Sequence, residues 1–306
     1  MGSPFNIQIY AHDSLQAEML ASNCFQLVDS LVNIYSDYID SSELNRLCAQ
    51  GGPGKKPFYA SPALFEILWI SKIAYEKSNG NFDITLGPVT RLWRKARKEK
   101  SWPTQESVAE KLALTGFDKV SLDSMSHTVT LQKTGMQLDL GGIAQGYIAQ
   151  RVMDRIQSKG ISTALVDVSG DIVAIGAPPG SKGWKIGVNI PEQTDELLPQ
   201  YLLISNKAVT TSGDAYQFIF HDGKKYSHVI DPRTGYGITS QKNVTVIAND
   251  GTTADWLTKA CSLLPVRKAK KLARQLQAEF IIATIKNGKL VLQKSKYFNT
   301  YWSNSQ

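Results

Sequence analysis

Four segments of this chain place hydroxyls, carboxylates, glycines or a histidine where packing alone has little use for them. "YSHVIDPRTG" (226–235) carries His228, one of four histidines in 306 residues. Strand alternation sets Tyr226, His228 and Ile230 on one face, where an imidazole is either a base shielded from bulk water or a hydrogen-bonded core residue. Asp231-Pro232 and Thr234-Gly235 read as a turn with its own side-chain hydrogen bonds. "GTTADWLTKACSLL" (251–264) starts a helix. Thr252, three before Asp255, resembles a capping box, and a first-turn carboxylate suits the helix dipole. Alternatively, Asp255 projects with Thr258 or Lys259 one turn later, and a carboxylate beside a hydroxyl is the hard-oxygen ligation that magnesium prefers.

The other two segments suit anions. "LDLGGIAQGY" (138–147) reads as a strand, a Gly141-Gly142 turn and a helix, so N–H groups at the helix start can face a phosphate. Its Gly-Gly-x-x-x-Gly spacing is neither a dinucleotide-binding nor a P-loop fingerprint, and a tight strand-to-helix turn needs the same glycines. "AVTTSGDAYQF" (208–218) supplies Thr210, Thr211 and Ser212, followed by a Gly213-Asp214 turn. Hydroxyls on a flexible backbone suit a phosphate or a ribose, although a solvated strand end reads the same way.

The elements that must position these residues are mixed. A strand over 5–10 leads to an amphipathic helix over 14–36, a polar loop, and a helix from Ser61-Pro62 to Asn79-Gly80. A hairpin spans 117–133, and the helix beginning near 143 puts Ile143, Tyr147, Ile148, Val152 and Ile156 near one face. The middle of the chain is strand-rich, a helical pair covers about 252–277, and a hairpin turning at Asn287-Gly288 closes the chain. Consecutive hairpins predict α+β architecture with largely antiparallel sheets and packed helices, not a doubly wound parallel sheet. At 42% hydrophobic, the chain can bury a full core, and no apolar run approaches a membrane span. Three widely spaced cysteines give neither a disulfide framework nor zinc-ligand spacing. The net charge of +7 concentrates in "RKARKEK" (94–100) and "RKAKKLAR" (267–274), which read as solvated helix faces. Neither block has the aromatic interleaving of a single-strand nucleic-acid binder.

Together with "MGSPF" (1–5), "SDYIDSSELNRL" and "NGNFDITLGPVTRLW" (79–93), these segments resemble, in order and over nearly the whole chain, the FAD:protein FMN transferase family, the ApbE-type flavin transferases. The resemblance implies a T-fold-like flavin transferase architecture, one domain over 1–306 with a smaller accessory lobe. It implies a flavin site near Met1, Tyr38, Asn81, Phe82, Asp83, Asp139, Gln145 and Ile230, with the diphosphate near Gly141-Gly142, Thr211 and Ser212. His228 matches the family's base, and magnesium is implied at the Gly142 carbonyl and the Asp255 carboxylate. The family's threonine metal ligand falls four residues after the aspartate, where this chain has Lys259. An ammonium cannot ligate magnesium. Either Thr258, one residue earlier, supplies the oxygen, or the lysine stands in for part of the metal's charge.

The expected reaction is magnesium-dependent transfer of FMN from FAD to a threonine or serine hydroxyl of an acceptor protein, with release of AMP. A FAD pyrophosphatase giving FMN and AMP, or a flavin-binding protein with a degraded metal site, would use the same residues. The expected partners are FAD and the acceptor flavoprotein. Localisation is expected to be periplasmic or at the cell envelope if a leader was trimmed, and cytoplasmic otherwise.

Overall fold

A computed structural model describes residues 4–191, 197–213, 218–240, 242–286 and 289–304. Met1, Asp214 and the Asn287-Gly288 turn, all singled out above, lie outside the described residues. In chain order the elements begin with β1 (Phe5–Ile9), α1 (Ser14–Tyr35), α2 (Glu43–Ala49), β2 (Phe58–Tyr59), α3 (Pro62–Lys77), α4 (Gly87–Glu99) and α5 (Gln105–Leu112). They continue with β3 (Val120–Asp123), β4 (Thr128–Leu131), α6 (Ala144–Gln157), β5 (Ala164–Val168), β6 (Asp171–Ile175), β7 (Trp184–Asn189), β8 (Leu197–Ile204) and β9 (Lys207–Ser212). The chain closes with β10 (Phe218–His221), β11 (Lys224–Ser227), β12 (Lys242–Ala248), α7 (Gly251–Leu263), α8 (Val266–Gln275), β13 (Glu279–Lys286), β14 (Lys289–Lys294) and β15 (Trp302–Asn304). Every strand pair in the named sheets is antiparallel, as the run of hairpins predicts.

The chain divides into two units. The first comprises residues 1–30, 143–216 and 241–306. Its seven-stranded sheet runs β1-β5-β6-β9-β12-β13-β14. One face meets the three-stranded sheet β15-β8-β7 across a core of Val209, Ile247, Ile281, Trp184, Leu202 and Phe298. The other face is covered by helices, α6 over β5 and β6 and α7 over β9 and β12. This explains why β12, "KNVTVIA", is buried at every position after Lys242: a central strand covered on both faces has no solvent side.

The second unit comprises 31–142 and 217–240. It holds the sheet β2-β4-β3, the β10–β11 hairpin, and α2 to α5. Its core packs Leu86, Val89, Trp93, Ala96 and Val108 with Ile230. Capping explains several helix starts. Ser61 accepts from the Leu64 N–H at 3.2 Å, with Pro62 in the first turn of α3, and Ser42 accepts from Asn45 N–H at 3.0 Å to start α2.

Four expectations change. The polar loop after α1 contains α2. Helices α4 and α5 occupy 87–112, where the sequence marks only the basic block 94–100 as a helix face, because α4 is so basic that its buried stripe (Val89, Trp93, Ala96) is short and easily hidden. The stretch before Gly141 belongs to no sheet, and Asp139 N–H donates instead to the Ile84 carbonyl at 2.7 Å. The strand through His228 stops at Ser227, since the chain folds back there, with Ser227 N–H donating to Ile238 O and Ile238 N–H to Val229 O, both at 2.9 Å.

Candidate active site

In the first unit the chemistry gathers where α6 crosses α7. Gly146 is the third residue of α6, so its N–H has no partner inside the helix. It donates to Asp255 Oδ2 at 3.1 Å. Only a glycine allows this approach: a Cβ on Gly146 would lie 2.1 Å from the Gly251 carbonyl oxygen and 2.7 Å from the Asp255 Cβ. Asp250 caps α7, accepting from Thr253 N–H at 2.7 Å, so Asp255 falls in the second turn and not in the first. The capping-box role read for Thr252 belongs to Asp250, since the helix starts two residues earlier than that box requires.

Asp255 is fully buried, and its Oδ1 pairs with Lys259 Nζ at 3.3 Å. Burial pushes the carboxyl upward, while the ammonium and the Gly146 N–H pull it down. Lys259 Nζ also donates to Thr258 Oγ1 at 3.2 Å, and that hydroxyl donates to the Asp255 carbonyl at 2.6 Å. The one-turn spacing thus brings Asp255, Thr258 and Lys259 together on α7. A second carboxylate, Asp171, starts β6 on the helix-covered face, opposite Thr210 in register. Burial raises it well above the ordinary carboxylate range, and the nearby Asp255 charge adds to this, against Lys259 and the Thr210 hydroxyl. Asp171 was missed. Its signal is a carboxylate in phase with the buried positions of "DIVAI", which a surface strand would place outward.

Thr211 and Ser212 are neighbours on β9 and therefore point to opposite faces of the sheet. Thr211 Oγ1 pairs with Thr245 Oγ1 at 2.9 Å, whereas Ser212 shares the buried helix-side face with Thr210. They do not present one hydroxyl surface. Gln145 is the second residue of α6.

In the second unit Arg94 is the centre of a charged knot. Its guanidinium pairs with Asp37 and donates to Asp139 Oδ2 at 2.9 Å, and the Tyr38 ring lies over it at 4.6 Å. Arg94 is therefore not part of a solvated basic face, unlike the reading of "RKARKEK": its side chain is 25% exposed and its charge is matched. Burial lowers the guanidinium, but Asp139 and Asp37 outweigh it and the group ends above its ordinary value. Nothing in the sequence marked Arg94 apart from its basic neighbours. Asp139 also accepts from Gly141 N–H at 2.8 Å, which fixes the glycine turn that includes Gly142 and leads into α6. Tyr38 is 76% exposed, an open aromatic face backed by a cation.

Asn81, Phe82 and Asp83 follow α3. Asn81 Nδ2 donates to Ser78 O at 2.8 Å, Phe82 is buried, and Asp83 accepts from Thr85 N–H at 2.8 Å and from Thr85 Oγ1 at 2.6 Å. Burial pushes the Asp83 carboxyl up, and those Thr85 bonds oppose it. The short turn it caps, Ile84–Leu86, puts Leu86 into the core that also holds Ile230. His228 is half-buried two residues before Ile230. The turn beyond is pinned by Trp93 Nε1 donating to Gly235 O at 2.7 Å and by Asp231 accepting from the Arg233 backbone N–H at 2.9 Å and from its guanidinium at 2.9 and 2.7 Å.

The α+β fold of antiparallel sheets and packed helices is the architecture shared with solved flavin transferase structures. The flavin transferase ApbE from Vibrio cholerae has TM-score 0.86 and 25% identity, covering 98% of this chain and 96% of that one. The ApbE protein from Thermotoga maritima has TM-score 0.86, 27% identity and the same coverage. Residues 1–282 match the model of the ApbE family. A FAD:protein FMN transferase of Klebsiella pneumoniae is 32% identical over 293 residues, 95% of this chain and 89% of that protein. Another, from Treponema pallidum, is 29% identical over 290 residues, 90% of this chain and 80% of that protein. The chain belongs to the ApbE family.

The magnesium implied by the resemblance does not fit the residues around Asp255. A hard cation needs oxygens, but the partners of the two carboxylate oxygens are both donors, an amide N–H and an ammonium. Thr258 does not restore the set, because its hydroxyl already donates to a helix carbonyl and accepts from Lys259. Among the described residues no cluster of three His, Cys, Asp or Glu side chains could hold a metal ion.

Proposed function

We propose that this protein transfers the FMN moiety of FAD to a threonine or serine hydroxyl of an acceptor protein. The observation that carries the proposal is the family match over 1–282, supported by relatives named FAD:protein FMN transferase. The acceptor hydroxyl oxygen attacks the phosphorus that bears riboflavin. The bond from that phosphorus to the oxygen of AMP breaks, AMP leaves, and the hydroxyl proton passes to His228.

An imidazole suits this role because it accepts a proton near neutral pH and returns it afterwards. The pinned turn after Ile230 restricts the backbone on which His228 sits, which favours one orientation of the ring. Tyr38, backed by Arg94, offers a flat face for the isoalloxazine ring, and Asp139, by accepting the Gly141 N–H, fixes the glycine turn assigned to the diphosphate. In the second unit Asn81, Phe82, Asp83 and Ile230 complete the flavin set and Gly142 is assigned to the diphosphate; in the first, Gln145 is assigned to the flavin and Ser212 to the diphosphate, whereas Thr211 lies on the opposite face of the sheet.

The test is incubation with FAD and a candidate acceptor, followed by mass measurement of the acceptor and analysis of the nucleotide released. An acceptor heavier by one FMN, with equimolar AMP, is the expected result. Free FMN with an unmodified acceptor would identify a pyrophosphatase and overturn the proposal.

A further inference from the structure

Lys259 sits where a cation would serve Asp255, and it is itself a cation. Its Nζ lies 3.3 Å from Asp255 Oδ1 and 3.2 Å from Thr258 Oγ1. The carboxylate it faces is fully buried, and the other oxygen is held by the Gly146 N–H at 3.1 Å. An ammonium has three N–H donors, and these contacts use two of them. The lysine side chain remains 22% exposed, so it is not sealed into the core with its partner. A buried carboxylate with one amide donor and one ammonium is a neutral, hydrogen-bonded pair. A divalent ion could enter only by displacing the lysine, leaving an ammonium without its counter-charge.

We propose that the Lys259 ammonium is a built-in cation that replaces a divalent metal at Asp255, with its third N–H serving a phosphate oxygen of the nucleotide substrate. The substrate class rests on the flavin-transfer reading, while the metal independence rests on the Asp255–Lys259 geometry alone. Asp255, Thr258 and the Gly146 amide are positioning groups that hold the ammonium. Its charge offsets the negative charge that builds on the diphosphate as the P–O bond to AMP breaks. No proton or electron is exchanged with the lysine in that step.

Two measurements on metal-stripped protein test this. The first is calorimetric titration of magnesium, and separately manganese, into the FAD-free protein, alongside thermal unfolding with and without each ion. The wild type should show no saturable binding and no ion-dependent shift, whereas Lys259→Thr should gain both. The second follows AMP release from FAD, with a candidate acceptor protein present, in chelator. The wild-type rate should be unchanged when magnesium is added. Lys259→Arg should retain most of it, Lys259→Met should lose about 10²-fold, and Lys259→Thr should respond to magnesium. Saturable magnesium binding by the wild type, abolished by Asp255→Asn, would overturn the proposal, as would wild-type turnover that stops in chelator and returns with magnesium. If no AMP is released under any condition, the flavin-transfer reading fails, and the titration still decides whether Lys259 excludes the metal. If Lys259→Met does not fold, the wild-type titration stands on its own.

Discussion

Replacing His228 with alanine should lower the rate of acceptor modification by about 10²–10⁴-fold, the usual scale of general-base help, and leave FAD affinity nearly intact. Flavin fluorescence titration beside single-turnover mass measurement separates the two effects, and a mutant that modifies its acceptor at the wild-type rate would remove His228 from the mechanism. Arg94→Met tests the opposite kind of residue. It leaves Asp37 and Asp139 facing one another with no guanidinium between them, and the exposed Tyr38 ring loses its backing cation. A loss of about 1–3 kcal/mol in urea unfolding, with weakened FAD binding, is the expected outcome. His228 could be singled out in the sequence because its segment combines a turn, a proline and an alternating strand. Arg94 could not, because its importance comes from two carboxylates 57 and 45 residues away in the chain.

At the scale of elements, the crossing of α6 and α7 decides whether Asp255 can be reached at all. Gly146→Ala puts a methyl group 2.1 Å from the Gly251 carbonyl oxygen, so the helices must move apart and the Gly146 N–H must leave Asp255. Destabilisation of about 1–3 kcal/mol, read from the urea midpoint, should accompany a fall in AMP release. Elements with strong periodic signals were legible in advance: α1, α3, α6, α7 and the hairpins fall close to where apolar spacing and caps place them. Of α4 and α5 only the basic face over 94–100 was legible, since "RKARKE" masks the few apolar positions that α4 buries. The site was legible as a set of segments but not as contacts. Strand alternation sends Thr211 and Ser212 to opposite faces, and Asp250 takes the capping role read for Thr252.

At the scale of the whole molecule, buried carboxylates set the response to pH. The Asp171 carboxyl is raised well above the ordinary value of about 3.9, so the folded chain holds this proton more tightly than the unfolded chain does. Its contribution to stability is full below pH ~4 and is lost as pH rises through the folded value. Urea midpoints for the wild type should therefore climb on mild acidification from neutral pH, and Asp171→Asn, which mimics the protonated form, should flatten that climb. The division of the chain bears on how it is made. Residues 31–142 and 217–240 build one unit, while 143–216 and 241–306 complete the other around residues 1–30, so each unit waits for sequence that is synthesised after part of its neighbour. A nascent chain halted before residue 217 has the sheet β2-β4-β3 but neither the β10–β11 hairpin nor Ile230 to fill the core around Trp93, and it lacks the central strand β12 entirely. Such a chain should stay sensitive to protease on the ribosome, and resistance should arrive late, once α7 and β13 have emerged.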